Sequence, residues 1–526
     1  MAFRMNRITS SLTRLPESPR ALPVLLGFAA LLMGALFIVR LNADLNYDGE
    51  IYIGAVMKFA GGMFREGLAI YPMPVYPLLI ALTHTLLPDW VLAGRLISFL
   101  SMTLLVIPMY LLTRDLFSAR AAFWSCIVFI LLPETLAQSN SVLRDPSFYV
   151  LFISAVYFAQ RAMHSGRFKH LLLCALFGVL STFFRVEGLI LFPVFLCFII
   201  GAAVFNAKES KRYIRIAFVW SIVGALLIVG LYIAVRSAGA EGLNRYIDWI
   251  IYFRGFNDLS FLENYHRIAG QLQQISESSA YMGIGQHVAE TARVFLPLLY
   301  VLSMLHMFSS TVLVFNLIPL SLGFLQADYN VRQLLVLALT AVLLALAYGF
   351  FIRMEILLKR YILMPSILLC PWIGFGIDKV LNLLQRIPRL RLGTACIVLM
   401  VFLYPVTEFD KLFKNRDDLA SRAGAWIAQN QELRDLRIVY NNQIVKFYAD
   451  LESKKHGSIN SLLHLDPTDT DFSKLVHFAK ANKADGIVVQ GRGDGKKLPS
   501  ALTNYKEIKE FIQRKKFVKI FLLDNK

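Results

Sequence analysis

The sequence lacks the residues that hold disulfide-bonded or metal-bound proteins together. Only five of its 526 residues are cysteines, and all five stand in apolar runs, so neither a disulfide framework nor a zinc spacing is available. We expect these cysteines to be small, buried hydrophobic residues. The histidines His84, His266, His287 and His306 lack the spacing of metal ligands. The chain also has no internal repeat and no low-complexity tract. The cysteines are Cys126, Cys174, Cys197, Cys370 and Cys396.

Long apolar runs dominate the sequence instead. Hydrophobic residues make up 56% of the chain and the mean hydropathy is +0.55, whereas average chains are roughly 45–50% apolar. Runs such as Ala21–Val39 and Ile216–Val235 approach the ~20 residues needed to cross a bilayer. The formal net charge of +18 comes from Lys and Arg in short loops, a pattern that orients membrane proteins. The sequence therefore predicts an α-helical polytopic membrane protein that contacts membrane lipids and no nucleic acid.

The distribution of Lys and Arg predicts about eleven spans, with the N-terminus in the cytoplasm. The Arg-rich residues 1–20 precede an apolar run that is too long for a cleaved signal peptide, so this run is interpreted as a retained span. The proline-broken segment Tyr71–Leu87 is interpreted as one or two short helices at the outer surface. Thr291–Leu325 is too long for one span and awkward for two, and the positive-inside bias favours a surface helix followed by one span. The other predicted spans are Ala21–Val39, Val91–Leu112, Ala121–Leu132, Phe148–Phe158, Leu171–Phe184, Leu189–Phe205, Ile216–Val235, Leu334–Ile352, Ile362–Ile377 and Leu392–Tyr404.

An odd number of spans places the C-terminal residues on the outer side, together with the first loop. We therefore predict a membrane domain over residues 21–407 and an outer domain over residues 408–526. Within the membrane domain, residues 41–90 form the first outer loop and residues 236–290 form a long outer loop.

The C-terminal residues are no longer apolar throughout. Arg437–Tyr440 and Gly486–Gln490 have the pattern of short buried strands, and Ala420–Gln429 and Asp471–Ala481 have that of amphipathic helices. Strands that alternate with helices predict a small α/β domain. The Gly-rich stretch Gly491–Gly495 lacks the spacing of a phosphate loop and is interpreted as a turn.

Charged residues gather in the predicted outer loops. Asp48 lies in a short polar stretch after the first span, and a carboxylate is costly to hold near lipid, which indicates a function. Arg185 lies between two spans with almost no loop, and Arg360 lies at the start of a span. Such cations pair or bind an anion, and the phosphate of a lipid headgroup lies at this depth. The polar residues of these loops are Asp48, Glu50, Tyr52, Lys58, Arg65, Glu66, Tyr71, Tyr76, Glu134, Arg144, Asp145, Arg185, Glu187, Arg353, Lys359, Arg360 and Tyr361.

This set predicts the transfer of a group from a lipid phosphate to a hydroxyl. Asp48 is the candidate base and Glu50 a second catalytic candidate, because a carboxylate within hydrogen-bond reach can deprotonate a hydroxyl. The cations would stabilise the growing charge on the leaving phosphate. No motif demands a metal, although Asp48, Glu50 and Glu134 could together hold a divalent ion. The candidates for substrate binding are Tyr52, Arg65, Tyr76, Arg144, Asp145, Arg185, Glu187, Lys359, Arg360 and Tyr361.

Several of these residues also have structural interpretations. Arg185 and Glu187 would form a salt bridge between two helices, which does not exclude a functional role. Arg144 and Asp145 would cap the helix that starts at Pro146. The remaining alternatives are a solvated loop position for Glu50, a surface acid at Asp48 and a snorkelling side chain at Lys359.

The order of these motifs resembles the GT-C glycosyltransferases, and within them family 39, which contains the protein O-mannosyltransferases and the ArnT-like aminoarabinose transferases. Asp48–Tyr52 resembles the Asp-Glu-x-x-Tyr start of their first outer loop. Met73–Leu78 resembles their Pro-Pro-Leu-Tyr surface helix, and Ala93–Ser98 resembles their Ala-x-Arg-Leu-x-Ser start of the second span. Arg144-Asp145 matches the acidic pair after the third span, and Lys359–Pro365 resembles their Arg-Tyr-x-x-Pro start of a late span.

The resemblance covers most of the chain, and Trp426–Tyr448 resembles the start of the outer α/β domain of many bacterial members. It implies a GT-C fold in a bacterial inner membrane, a polyprenyl-phosphate-sugar donor and inverting transfer. The acceptor would be a glycan such as lipopolysaccharide, a lipid or a protein, and Asp48 would be the general base. Two departures stand out. Gly49 replaces the acid that follows the catalytic Asp, and Tyr71-Pro72-Met73 lacks the Lys common in the aminoarabinose branch.

Two functions from other classes compete with an enzyme. A lipid-linked-saccharide transporter or flippase commonly has repeated halves and charges at the midplane of the membrane; here no repeat is visible and the charges cluster at the outer rim. A non-catalytic assembly protein would act through its C-terminal domain, which leaves the charged cluster from Asp48 to Arg360 unexplained.

Overall fold

The computed structural model describes residues 15–205, 209–237, 262–278, 283–386, 418–433, 436–456, 460–463, 472–492, 505–514 and 516–524. The chain divides into two compact units. The first comprises Met1–Phe37 and Ala55–Leu412, and the second comprises Ile38–Gly54 and Phe413–Lys526. Ile38–Gly54, which include the start of the predicted first outer loop, therefore cluster with the C-terminal residues, and the rest of that loop belongs to the first unit. The predicted domain bounds stay a prediction.

The first unit is helical. Five of its described helices are long and apolar enough to cross a membrane, or up to eight if each of three bent helix pairs is one span. The predicted α-helical polytopic fold is confirmed, whereas the count of eleven spans stays a prediction because Leu392–Tyr404 lies outside the described residues. The helices are Ala21–Val39, Phe64–Ile70, Val75–His84, Trp90–Leu116, Ala119–Leu131, Pro133–Ser139, Asp145–Ser165, Phe168–Thr182, Leu191–Phe205, Ser210–Ser237, Glu263–Glu277, Ile284–Val294, Leu296–Val312, Leu317–Gln326, Val331–Met354 and Lys359–Arg386, and Tyr47–Ala60 begins in the second unit.

Two regions that the apolar pattern left ambiguous are resolved into bent helices. The segment Tyr71–Leu87, predicted as one or two surface helices, contains the helix Val75–His84. This helix forms a bent pair of 120° with the helix Phe64–Ile70 before it, and prolines between the two cannot continue a helix. The region around Thr291–Leu325 is divided further than predicted. Ile284–Val294 and Leu296–Val312 meet at 77°, and a short apolar helix at Val314–Gln326 follows them.

Small residues allow the helix Lys359–Arg386 to pack closely against its neighbours. A Cβ at Gly376 would lie 1.8 Å from the Pro319 carbonyl oxygen, and one at Gly374 would lie 2.3 Å from the Ala121 carbonyl oxygen. Glycine is therefore required at both positions, as is common where helices cross inside a membrane.

Three of the cysteines are buried as predicted, namely Cys126, Cys174 and Cys370. The prediction is wrong for Cys197, which is exposed. It lies on the apolar helix Leu191–Phe205, where several large apolar side chains are also exposed. In a membrane protein such a face contacts lipid, so an apolar neighbourhood does not imply burial within the protein. Cys396 lies outside the described residues.

The C-terminal part of the second unit is a mixed α/β domain. Its strands are Arg437–Tyr440 (β1), Asn460–Leu463 (β2), Gly486–Arg492 (β3), Tyr505–Gln513 (β4) and Lys516–Leu523 (β5), and its helices are Leu419–Gln429, Gln443–His456 and Phe472–Ala481. The five-stranded sheet has the order β2-β1-β3-β5-β4, in which β1 pairs in parallel with β2 and β3, and β5 pairs antiparallel with β3 and β4. The two predicted strands and two predicted helices are confirmed, while β2, β4, β5 and one helix were missed.

Alternating side chains of the sheet build two cores. Ile438 and Tyr440 of β1 face one core with the helices Leu419–Gln429 and Gln443–His456. Val439, between them, faces the other core with the helix Phe472–Ala481. This alternation is the period of two that β-strands impose. The predicted turn Gly491–Gly495 is only partly described: residues 491 and 492 end β3, and the others lie outside the described residues.

Candidate functional site

Arg185 is the centre of a buried charged cluster in the first unit. It has an extended backbone conformation between the helix Phe168–Thr182 and the 3-10 turn Val186–Ile190. Its guanidinium donates hydrogen bonds to the carboxylates of Asp145 and Glu187. The turn needs glycine at 188, because a Cβ there would lie 2.5 Å from a side-chain oxygen of the preceding helix. The predicted salt bridge between Arg185 and Glu187 is confirmed, and Arg185 also pairs with a second carboxylate, that of Asp145.

Arg144 and Asp145 begin the helix Asp145–Ser165, which has proline in its first turn. The interpretation of this pair as a side-chain cap is wrong, since the N-cap residue is Arg144 and no side chain caps the helix. Asp145 instead pairs with Arg185 and is only 1% exposed. Arg144 donates hydrogen bonds to the Tyr71 hydroxyl and the Met73 sulfur, and its guanidinium lies 5.5 Å from the centre of the Tyr71 ring.

The first residues of the helix Lys359–Arg386 also contribute to the charged cluster around Arg185. The Arg360 guanidinium lies 5.2 Å from the centre of the Tyr361 ring and donates a hydrogen bond of 3.2 Å to its hydroxyl. The Arg185 guanidinium lies 5.5 Å from the centre of the same ring. The Tyr149 hydroxyl donates a hydrogen bond of 3.1 Å to the Arg360 carbonyl oxygen, which fixes this helix start against Asp145–Ser165.

We call Arg144, Asp145, Arg185, Glu187 and Arg360 the arginine cluster. Asp145 interacts electrostatically with all three arginines, and Glu187 interacts with two of them. The cations outnumber the carboxylates within the cluster, so its formal charge is positive. Buried ion pairs contribute little net stability but fix side-chain geometry when every partner is present. The arrangement is therefore suited to hold guanidinium groups in place for an anion.

Glu134 and Lys359 lie near the cluster. Glu134 accepts a hydrogen bond of 2.9 Å from Gln138, and the charges of Lys359, Asp145 and Arg360 act on it. Lys359 is half-buried at the first residue of its helix. The snorkelling and phosphate-binding interpretations of this lysine both stay predictions.

The structure does not bring two other predicted residues of the first unit into the arginine cluster. Arg65 is exposed on the helix Phe64–Ile70, next to the ion pair between Lys58 and Glu66. Tyr76 is fully buried, and its hydroxyl donates a hydrogen bond of 3.4 Å to the Gly94 carbonyl oxygen. Their proposed contacts with substrate stay predictions.

Asp48, Glu50 and Tyr52 belong to the second unit. All three lie in the first turns of the helix Tyr47–Ala60, where carboxylates interact favourably with the helix dipole. Asp48 is half-buried and Tyr52 is buried. The interpretation of Glu50 as a solvated loop residue is wrong, because it is helical and half-buried.

Burial raises the pKa of Glu50 to about 7, and the charge of Asp450 adds to this effect. A hydrogen bond with Gln443 and the charge of Lys446 oppose it. Glu50 therefore exchanges a proton near neutral pH, as a general acid or base requires.

The sequence did not predict that Tyr149 and Met73 are hydrogen-bond partners of the arginine cluster. Tyr149 follows Asp145 by four residues, and this spacing places both on one face of a helix. Met73 gave no signal, since its contact with Arg144 depends on tertiary structure. Among the described residues, no group of three or more His, Cys, Asp or Glu side chains is arranged to hold a metal ion.

The cluster lies largely within a segment that matches a known family. Residues 71–235 match the dolichyl-phosphate-mannose-protein mannosyltransferase family, and this segment includes every member of the arginine cluster except Arg360. No curated protein matches the chain by sequence.

Solved structures extend the likeness to almost the whole chain. The oligosaccharyltransferase of Archaeoglobus fulgidus, in complex with Zn and sulfate, has a TM-score of 0.54 and 14% identity over 94% of this chain and 72% of that chain. ArnT of Cupriavidus metallidurans bound to undecaprenyl phosphate has a TM-score of 0.52 and 13% identity over 96% of this chain and 98% of that chain. At these identities the likeness shows the fold. The GT-C fold and the resemblance to its mannosyltransferase and ArnT-like branch are confirmed, and together they support a multi-pass membrane glycosyltransferase.

Proposed function

We propose that this protein moves one sugar from a polyprenyl-phosphate carrier to an acceptor at the outer face of a bacterial inner membrane. The observation that carries the proposal is the arginine cluster, in which the Arg185 guanidinium is hydrogen-bonded to the buried Asp145 and the half-buried Glu187. The charges of Arg144 and Arg360 also act on Asp145. The GT-C fold supports it, because ArnT of Cupriavidus metallidurans was solved with undecaprenyl phosphate.

The cluster would bind the phosphate of the donor. Arginine offers bidentate hydrogen bonds to phosphate oxygens, and a fixed guanidinium loses little entropy when it binds. Arg144, Arg185 and Arg360 are the primary candidates, with Lys359 as an additional charge. As the bond between the sugar and the phosphate breaks, negative charge grows on the phosphate, and preorganised cations stabilise that charge more than they stabilise the bound donor.

Asp48 would be the general base. The acceptor hydroxyl attacks the anomeric carbon, its proton passes to Asp48, and polyprenyl phosphate leaves with the electron pair of the broken bond. A single displacement of this kind inverts the anomeric configuration. Glu50 is the second candidate, since it lies in the same helical turn and its pKa is near neutrality. Tyr52 and Tyr76 would contribute to the sugar pocket.

The orientation follows from the positive-inside bias. Arg-rich loops would face the cytoplasm together with the N-terminus, and the C-terminal α/β domain would lie in the periplasm. The acceptor would therefore be a glycan, lipid or protein that is accessible from the periplasm.

The test is a transfer assay with the purified protein in lipid and a panel of radiolabelled polyprenyl-phosphate sugars. The Asp48→Asn variant keeps the size of the side chain and removes the base, so we expect at least a thousandfold loss of transfer with unchanged folding. Asp328→Asn is the matched control, because Asp328 is exposed between two helices of the first unit and should be fully active. Full activity of Asp48→Asn would exclude the base assignment. Donor translocation without turnover would favour a flippase.

A further inference from the structure

The segment that carries Asp48 is attached to the C-terminal domain by an unusual cap. The Asp44 carboxylate accepts hydrogen bonds of 2.9 Å from the backbone N–H groups of Ala420 and Ser421. These groups lie in the first turn of the helix Leu419–Gln429, whose own N-cap residue, Asp418, makes no side-chain cap. The first N–H groups of a helix have no partner within it, and a carboxylate is among the strongest acceptors for them. Asp44 thus caps a helix that begins more than 370 positions later in the chain.

Two further contacts attach the same segment to the neighbouring helix, Gln443–His456. The Leu45 backbone N–H donates a hydrogen bond of 3.0 Å to the Tyr448 hydroxyl. On the other side of Asp48, the Glu50 carboxyl interacts with Gln443. The contacts therefore flank Asp48 in sequence, before it and after it.

The two helices that receive these contacts form one rigid support. A Cβ at Gly424 would lie 2.5 Å from the Tyr448 Cβ and 2.8 Å from the Ala449 backbone nitrogen, so the helices pack backbone to backbone. Their apolar faces share one core with β1, β3 and β5. A displacement of the segment would have to break the cap and the Tyr448 hydrogen bond together.

We infer that the C-terminal domain positions Asp48 for proton transfer, with Asp44 as the positioning residue. The inference rests on the proposed function, since it takes Asp48 as the base. A base must stay within hydrogen-bond reach of the acceptor hydroxyl, and a displacement of about 1 Å costs on the order of 100-fold in rate. Asp44 itself does not touch the substrate in this scheme; it acts through the helix turn that holds Asp48.

The experiment combines steady-state kinetics with hydrogen–deuterium exchange on the full chain in lipid nanodiscs. Asp44→Ala removes both acceptors, whereas Asp44→Asn keeps one carbonyl oxygen. Asp418→Asn is the matched control, because this acid stands at the same helix terminus and its side chain accepts its hydrogen bond of 2.9 Å from Gln513. Asp48→Asn reports on the proposed base in parallel.

We expect Asp44→Ala to lower kcat at least tenfold with an unchanged KM for the donor, and to speed exchange in residues 45–54 and 419–429. Asp44→Asn should recover part of the kcat and part of the slow exchange. Asp418→Asn should leave kcat and the exchange rate as in the wild type. Faster exchange with an unchanged kcat would overturn the positioning role, and exchange as slow as in the control would overturn the attachment. If the wild type transfers no sugar, the proposed function fails, and the exchange data alone decide whether the C-terminal domain holds the segment.

Discussion

Replacing Glu50 with glutamine should change how the stability of the protein depends on pH. The pKa of Glu50 is about 7 in the folded chain, against 4.5 for an unperturbed carboxyl, and burial is the main cause. The folded state therefore binds the proton more tightly than the unfolded state does. By linkage, the stabilisation is fully present below about pH 4.5 and is lost as the pH rises through about 7. Glu50→Gln mimics the protonated form and should abolish this loss.

The size of the effect follows from the difference in pKa. Taken in full it corresponds to about 3 kcal/mol at pH 8. Because the Glu50 side chain is only half-buried, solvent screening reduces the expected value to about 1–2 kcal/mol. For a domain of this size, that difference shifts the melting temperature by roughly 3–6 °C.

The assay is differential scanning fluorimetry of the detergent-purified protein between pH 5 and pH 8.5. The melting temperatures of wild type and Glu50→Gln should lie closest at pH 5, diverge as the pH rises to about 7 and keep a constant difference above it, with the variant more stable. The Asp450→Asn variant tests whether the pKa of Glu50 controls the pH dependence of stability. It removes the negative charge that helps to raise the pKa of Glu50 and releases Lys446, its partner at 2.5 Å, so the pKa of Glu50 in the folded state should fall. The loss of stability with rising pH should then be smaller and should end at lower pH. Parallel pH profiles for the wild type and Glu50→Gln would refute the reasoning.

Two further predictions concern the first unit. Arg185→Leu leaves the buried Asp145 and the half-buried Glu187 without their guanidinium and should destabilise the protein by about 3–5 kcal/mol, measured as a fall in melting temperature. Arg65→Leu, on the surface, should change stability by less than about 0.5 kcal/mol. Equal effects of the two variants would contradict the pairing of Arg185. Gly376→Leu places a side chain against the Pro319 carbonyl and should abolish the monodisperse peak in size-exclusion chromatography. Gly201→Leu should be tolerated, because a Cβ at Gly201 has no neighbouring atom within 4 Å. A normal elution profile of Gly376→Leu would exclude the close helix crossing.

Apolar length was enough to predict most of the membrane helices. The helix Ala21–Val39 has the predicted bounds, because nothing but its own hydrophobicity decides where it begins and ends. In the C-terminal domain, β4 escaped prediction because all but one of its side chains are exposed or half-buried and many are charged. An edge strand pairs on one side only, and its pattern reflects solvent more than a core.

The candidate site was predicted as a set of residues but not as a set of contacts. Neighbours in sequence suggested that Arg144 pairs with Asp145 as a cap, whereas Asp145 is hydrogen-bonded to Arg185, 40 positions away. Polar type and depth in the membrane identify which residues are functional candidates. Pairing between helices depends on their packing, which a single sequence does not encode locally.

The cap that Asp44 provides also delays the folding of the first outer segment until the C-terminal helix has been synthesised. Residues 38–54 leave the ribosome more than 370 residues before the helix that Asp44 caps. At ~5–20 residues per second, that interval is roughly 20–75 s. During this time the newly inserted first helix carries a carboxylate and two helical turns whose final partners do not yet exist. The segment with the candidate base therefore reaches its final environment only when translation is nearly finished, so a ribosome that stalls late would release a chain whose membrane helices are inserted but whose outer segment has nothing to dock on.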